Sequence, residues 1–172
     1  GRFMADNNTD LMTALIAATD EAGAIIMALY GKADAREKDD RSPVTEADEA
    51  AERAILGHLA RLAPEIPVVA EEQSSQGLAP TSVGERFWLV DPLDGTTNFV
   101  HGYPSYAVSI ALELDGVLEV GCIFDPINGQ TYSARRGAGA SCDGVPISVS
   151  KASTLIESLL ITGFPYDRRE RA

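Results

Sequence analysis

Apolar residues fall every three or four positions between residues 9 and 30, at Leu11, Leu15, Ala18, Ala22, Ile25, Ile26 and Leu29. That spacing predicts a helix with one buried face, closed by Gly31. Residues 32 to 43 lose the pattern; Lys38, Asp39, Asp40 and Arg41 stand before Ser42-Pro43, and the segment reads as an exposed loop. A second helix begins at Thr45, which can cap the backbone while Asp48 reaches back from the third helical position. Ala51, Ile55, Leu59 and Leu62 form its apolar stripe, and Pro64 stops it.

Beyond Pro64 the pattern turns from helical to extended. Ile66 to Ala70 is a short apolar strand running into Glu71-Glu72, residues 73 to 85 are a Ser-, Gly- and Pro-rich loop, and Phe87 to Val90 is a buried strand. A short helical or irregular segment reaches Tyr103-Pro104. Val108, Ile110, Leu112 and Leu114 then alternate with Ser109, Ala111 and Glu113, the period of a half-buried strand. Asp115-Gly116 turns the chain into Val117 to Phe124, and Asn128-Gly129 turns it into Gln130 to Ala134, so an antiparallel meander is expected. Asp143-Gly144 precedes one more strand, Pro146 to Val149, and Ser158 to Thr162 opens a further apolar run. No internal repeat, low-complexity tract or linker interrupts the order.

The chemistry concentrates at residues 88 to 99, WLVDPLDGTTNF. A strand delivers Asp91 and Asp94 into a turn kinked by Pro92 and ended by Gly95, and Thr96, Thr97 and Asn98 follow. Ionised carboxylates brought together lose hydration and repel one another unless a cation neutralises them. Magnesium prefers such hard oxygen ligands, with waters and substrate phosphate completing its shell. If a helix starts near Thr96, its unpaired N–H groups favour an anion at the same spot. An Asp-rich turn that merely caps a helix fits these residues as well. Parallel neighbouring strands would add Glu71 to the pair. Three carboxylates, with a carbonyl near Leu93, could then hold more than one magnesium ion and support phosphoryl transfer by an activated water. A hydroxyl such as Thr96 beside Glu71 could orient that water and accept its proton.

Composition narrows the classes further. With 172 residues, 45% hydrophobic and 23% charged, the chain is long and apolar enough for one folded domain. Its net charge of −12 disfavours nucleic-acid polymers and anionic membrane surfaces. The only basic run is Arg168, Arg169 and Arg171. Cys122 and Cys142 form neither a metal-ligand spacing nor a disulfide framework, so a reducing cytoplasm is expected, with Cys122 as core filler. No signal peptide and no apolar stretch of spanning length is read, and Gly1-Arg2-Phe3-Met4 looks like an added remnant, so residues 1 to 8 are set apart as an N-terminal tail. His58 and His101 lack partners for zinc chemistry, and neither a G-x-S-x-G elbow nor a P-loop occurs.

AEEQ at 70 to 73, WLVDPLDGTTNF, YPSYAVSIAL at 103 to 112 and GAGASCDG at 137 to 144 resemble the inositol monophosphatase family of magnesium-dependent, lithium-sensitive phosphatases. The resemblance runs over nearly all of residues 10 to 172. It implies a layered α/β (α+β) sugar-phosphatase fold, with two helices packed on a largely antiparallel sheet. It implies Mg2+ as cofactor, held by Glu71, Asp91, Asp94 and the carbonyl of Leu93. Asp94, Gly95, Thr96 and Thr97 match substrate and phosphate contacts, Thr96 with Asp48 and Glu71 matches the water-activating group, and Lys38 matches a loop residue that helps close the site. A homodimer and a small phosphorylated metabolite are the implied partners.

The family also places a further metal-ligand aspartate in a W-D-x-A-A-G motif of its C-terminal half, which this sequence lacks. Residues 9 to 172 are therefore expected to be the N-terminal part of such a domain, binding metal weakly and turning over poorly alone. Thr97-Asn98 points to inositol phosphate. SPVTEADEAAE and PEIPVVAEE also resemble 3′(2′),5′-bisphosphate nucleotidases, whose turn more often reads DGTKEF, and histidinol phosphate and sugar bisphosphates stay open within the superfamily. The alternative from another class is a noncatalytic binding module that keeps the acidic turn.

Overall fold

The computed structural model describes residues 8–32, 35–37, 43–75, 77 and 84–162. Two long helices, α1 (Asn8–Leu29) and α2 (Glu46–Leu62), pack on one another and on a mixed sheet. Between them lies a two-stranded ribbon, β1 (Ala35–Glu37) with β2 (Pro43–Thr45). The sheet then forms in chain order: β3 (Val68–Ala70), β4 (Arg86–Asp94), β5 (Ala107–Leu114), β6 (Val117–Asp125), β7 (Gln130–Arg135), β8 (Gly139–Cys142) and β9 (Val145–Ile147). Among the described strands, only β3 and β4 run parallel. Two five-residue helices, α3 (Glu71–Ser75) and α4 (Thr96–Val100), leave the ends of β3 and β4.

Strand register explains where the core sits. Trp88 pairs with Leu112 and Leu112 with Val120, while Val90 pairs with Ile110 and Ile110 with Cys122. Because strand side chains alternate faces, these residues share one face. All six are buried there, under the α1 stripe of Leu11, Leu15, Ala18, Ala22 and Ile26 and the α2 stripe of Ala47, Ala51, Ile55 and Leu59. The helices and the meander thus stand where the hydrophobic periods place them, and Cys122 is a core residue beside Thr19.

Several expectations change. The segment read as a loop contains the β1–β2 ribbon, and the loop expected from residue 73 begins as the end of α3. β4 continues through both aspartates, with a register shift between Asp91 and Asp94. β8 occupies the glycine-containing stretch, whose side chains are too small to show a period, and β9 ends earlier than expected. Leu155–Glu157 is a 3₁₀ turn, and the apolar run after it has no regular secondary structure and is exposed at Leu159, Leu160 and Ile161. One exclusion is also corrected: Leu11–Leu29 is long and apolar enough, by composition, to cross a membrane. Its buried stripe lies against β5 and β6. Lys38 lies outside the described residues.

Candidate active site

Parallel pairing of β3 with β4 matches Ala70 to Val90. The next residue on each chain is an acid, so Glu71 and Asp91 emerge side by side and share a hydrogen bond. Two carboxylates can do so only by sharing a proton. Burial, then the charge of Glu71, its hydrogen bond and the charge of Asp94 push the Asp91 carboxyl from 3.8 to about 8. The backbone N–H of Leu93 donates to Asp91 Oδ1 at 3.2 Å and partly offsets this rise.

Asp94, exposed beyond the register shift, acts on Asp91 more weakly than Glu71 does. Among the described residues, no three His, Cys, Asp or Glu side chains already close on one point as a metal cage. The expected three-carboxylate site is therefore a close pair with a third acid nearby. That donor set fits magnesium, which takes one or two carboxylates and keeps several waters. A cation between Glu71 and Asp91 would also relieve the repulsion that now retains a proton.

Beside the pair, Gly95 turns the chain with φ +96°, where a Cβ would stand 2.9 Å from the Ser105 carbonyl oxygen. Glycine is required for both reasons. α4 starts at the next residue, and the Thr96 hydroxyl lies 2.8 Å from Asp48 Oδ1 and 3.0 Å from the Leu93 carbonyl oxygen. One proton thus faces two acceptors. Asp48 itself completes the capping box of α2: the Thr45 N–H and hydroxyl donate to its Oδ2 at 2.7 and 2.6 Å. Burial raises the Asp48 carboxyl above its ordinary value, against the lowering effect of hydrogen bonds from Thr45 and Thr96. Tyr30 and Tyr106 each meet Phe99 of α4 edge-on, and their own rings lie tilted to one another.

A cleft of about 460 Å³ opens from Asp94 and Gly95 toward Asn98, Asp125, Asn128 and Tyr132. Its polar lining can meet hydroxyl groups. The local sequence reading missed Glu52 and the burial of Glu72, which is 1% exposed. Glu52 Oε2 accepts the Glu72 N–H at 2.7 Å, and Oε1 accepts the Gln73 N–H at 3.1 Å. Its position four residues after Asp48 and one after Ala51 was the available signal, because helical spacing puts it beside the buried stripe.

Comparison with known proteins follows the same outline. The model of the inositol monophosphatase family matches residues 7–172. An inositol-1-monophosphatase of Synechocystis sp. is 41% identical over 166 residues, covering 93% of this chain and 56% of the relative. A Vibrio cholerae protein named Nus factor SuhB is 40% identical over 129 residues, covering 75% of this chain and 47% of the relative. The chain thus spans about half the length of the curated relatives it matches. The solved structure of inositol monophosphatase from Anabaena (Nostoc) sp. superposes with a TM-score of 0.80 at 38% identity, over 95% of this chain and 59% of the other.

Proposed function

Because this chain belongs to the inositol monophosphatase family, we propose that it carries the core of a magnesium-dependent phosphomonoesterase acting on a small phosphorylated polyol, with inositol monophosphate as the first substrate to test. The observation that carries this reading is the Glu71–Asp91 pair, set beside the Thr96–Asp48 hydroxyl–carboxylate contact. Glu71, Asp91, Asp94 and the Leu93 carbonyl would hold the metal. When bound, magnesium supplies Lewis-acid polarisation of phosphoryl oxygens and acidifies water.

The chain's own residues account for the rest. Thr96 gives its hydroxyl proton to Asp48 Oδ1 while its oxygen takes one from the attacking water; the water oxygen bonds phosphorus as the ester P–O bond breaks, and the departing alkoxide takes a proton from solvent water. Burial of Asp48 raises its basicity and favours that transfer. N–H groups at the start of α4 offer donors to phosphate oxygens, and Asp94 with the neighbouring cleft receives substrate hydroxyls. The net charge of −12 supports a small substrate over a nucleic-acid polymer.

Calorimetry of the purified chain with magnesium and inorganic phosphate tests this directly. Magnesium binding that tightens phosphate binding, and is lost in Asp91→Asn, is the expected result; absence of both heats overturns it. Inositol 1-phosphate, histidinol phosphate and a 3′,5′-bisphosphate nucleotide, compared by kcat/KM, then rank the substrates. The relatives named Nus factor SuhB, at 40% and 41% identity, prompt a second reading, a binding module that keeps the acidic turn. A folded chain that takes up neither magnesium nor phosphate is the result that reading expects.

A further inference from the structure

We propose that Glu52 is a positioning residue for Glu71: its carboxylate clamps the first turn of α3 to α2 and thereby sets where the metal-facing acid stands. The inference rests on the reading of Glu71 and Asp91 as metal ligands. Glu52 is 4% exposed, and both of its oxygens are committed, Oε2 to the Glu72 N–H at 2.7 Å and Oε1 to the Gln73 N–H at 3.1 Å. These are the amides immediately after Glu71. A five-residue helix cannot sustain itself, and its first N–H groups have no partner within the helix. A buried carboxylate is costly, so a core helix retains one where charge-assisted bonds give it a task an apolar side chain cannot perform.

One turn earlier on the same helix, Asp48 accepts the Thr96 hydroxyl from α4. α2 therefore holds both halves of the site through two buried acids about 6 Å apart along its axis. Asp48 fixes the turn after β4, and Glu52 fixes the turn after β3. The spacing between Glu71 and Asp91 is then set by a rigid helix as well as by strand pairing.

Glu52→Gln and Glu52→Leu separate this role from simple core packing. Magnesium affinity is measured by calorimetry on the folded proteins, and protection of the Glu72 and Gln73 amides by hydrogen exchange. Glu52→Leu, which loses both acceptors, is expected to weaken magnesium binding roughly 10- to 100-fold. Glu52→Gln keeps one acceptor oxygen and should lose less, with the Glu72 or Gln73 amide exchanging faster. Folded variants that bind magnesium within about twofold of the parent, with unchanged exchange at both amides, overturn the proposal. If the parent chain itself takes up no magnesium, the metal reading fails separately. Amide exchange then decides the clamp: faster exchange in both variants supports it, and unchanged exchange rejects it.

Discussion

Asp91 carries the largest electrostatic cost in the site, and the sign of its effect follows from its displaced ionisation. Its carboxyl titrates near 3.8 when unfolded and at about 8 in the fold, so the folded chain holds the extra proton between those values. The stabilisation is complete below about pH 4 and is lost as pH rises through about 8. Metal-free protein should therefore lose unfolding free energy across that window, whereas Asp91→Asn should show a flatter profile by denaturant titration. Added magnesium should restore the parent at the alkaline end. Thr96 makes a different prediction. Thr96→Ala removes the hydroxyl between Asp48 and the Leu93 carbonyl, and should lower kcat by about 10²–10⁴ with little change in KM; Thr96→Ser should recover most of it. The identities of these residues were legible in WLVDPLDGTTNF. Glu52 was not, since a Glu on a helix is ordinarily solvated and only packing shows it buried.

The turn between β4 and α4 concentrates backbone constraint. A Cβ at Gly95 would meet both a left-handed backbone and the Ser105 carbonyl, so Gly95→Ala should cost more than the roughly 1–2 kcal/mol of left-handed strain alone and displace Thr96. Chemical denaturation and phosphate affinity would both register it. Thr45 secures the start of α2, its oxygen accepting from the Ala47 and Asp48 amides at 3.1 and 3.4 Å. Thr45→Ala should destabilise the chain by about 0.5–2 kcal/mol and also weaken phosphate release, because Asp48 serves the cap and Thr96 together. The cap and both helices were readable because periodicity and short-range capping are local. The β1–β2 ribbon was not, since its pairing joins residues across a charged segment without an alternating pattern.

Over the whole molecule, apolar surface is distributed unevenly. The helices cover the Trp88–Ile110–Val120 face, whereas Ile123 and Tyr132, paired across β6 and β7 on the other face, are 45% and 38% exposed. Leu159, Leu160 and Ile161 are exposed at 89%, 73% and 90%. Exposed apolar area on this scale promotes association. The 172-residue chain should self-associate with concentration in sedimentation velocity, and replacing Leu159, Leu160 and Ile161 with serine should shift it toward monomer. By itself, the amino-acid order determined the two helices, the meander and the acid-bearing turn, because hydrophobic period, capping and turn chemistry act over a few residues. Only the tertiary structure decided that Glu71 stands beside Asp91, that Thr96 meets Asp48 and that Glu52 holds α3. Those contacts depend on the parallel register of β3 with β4 and on where α2 lies across their ends, and both are settled by packing between segments far apart in the chain.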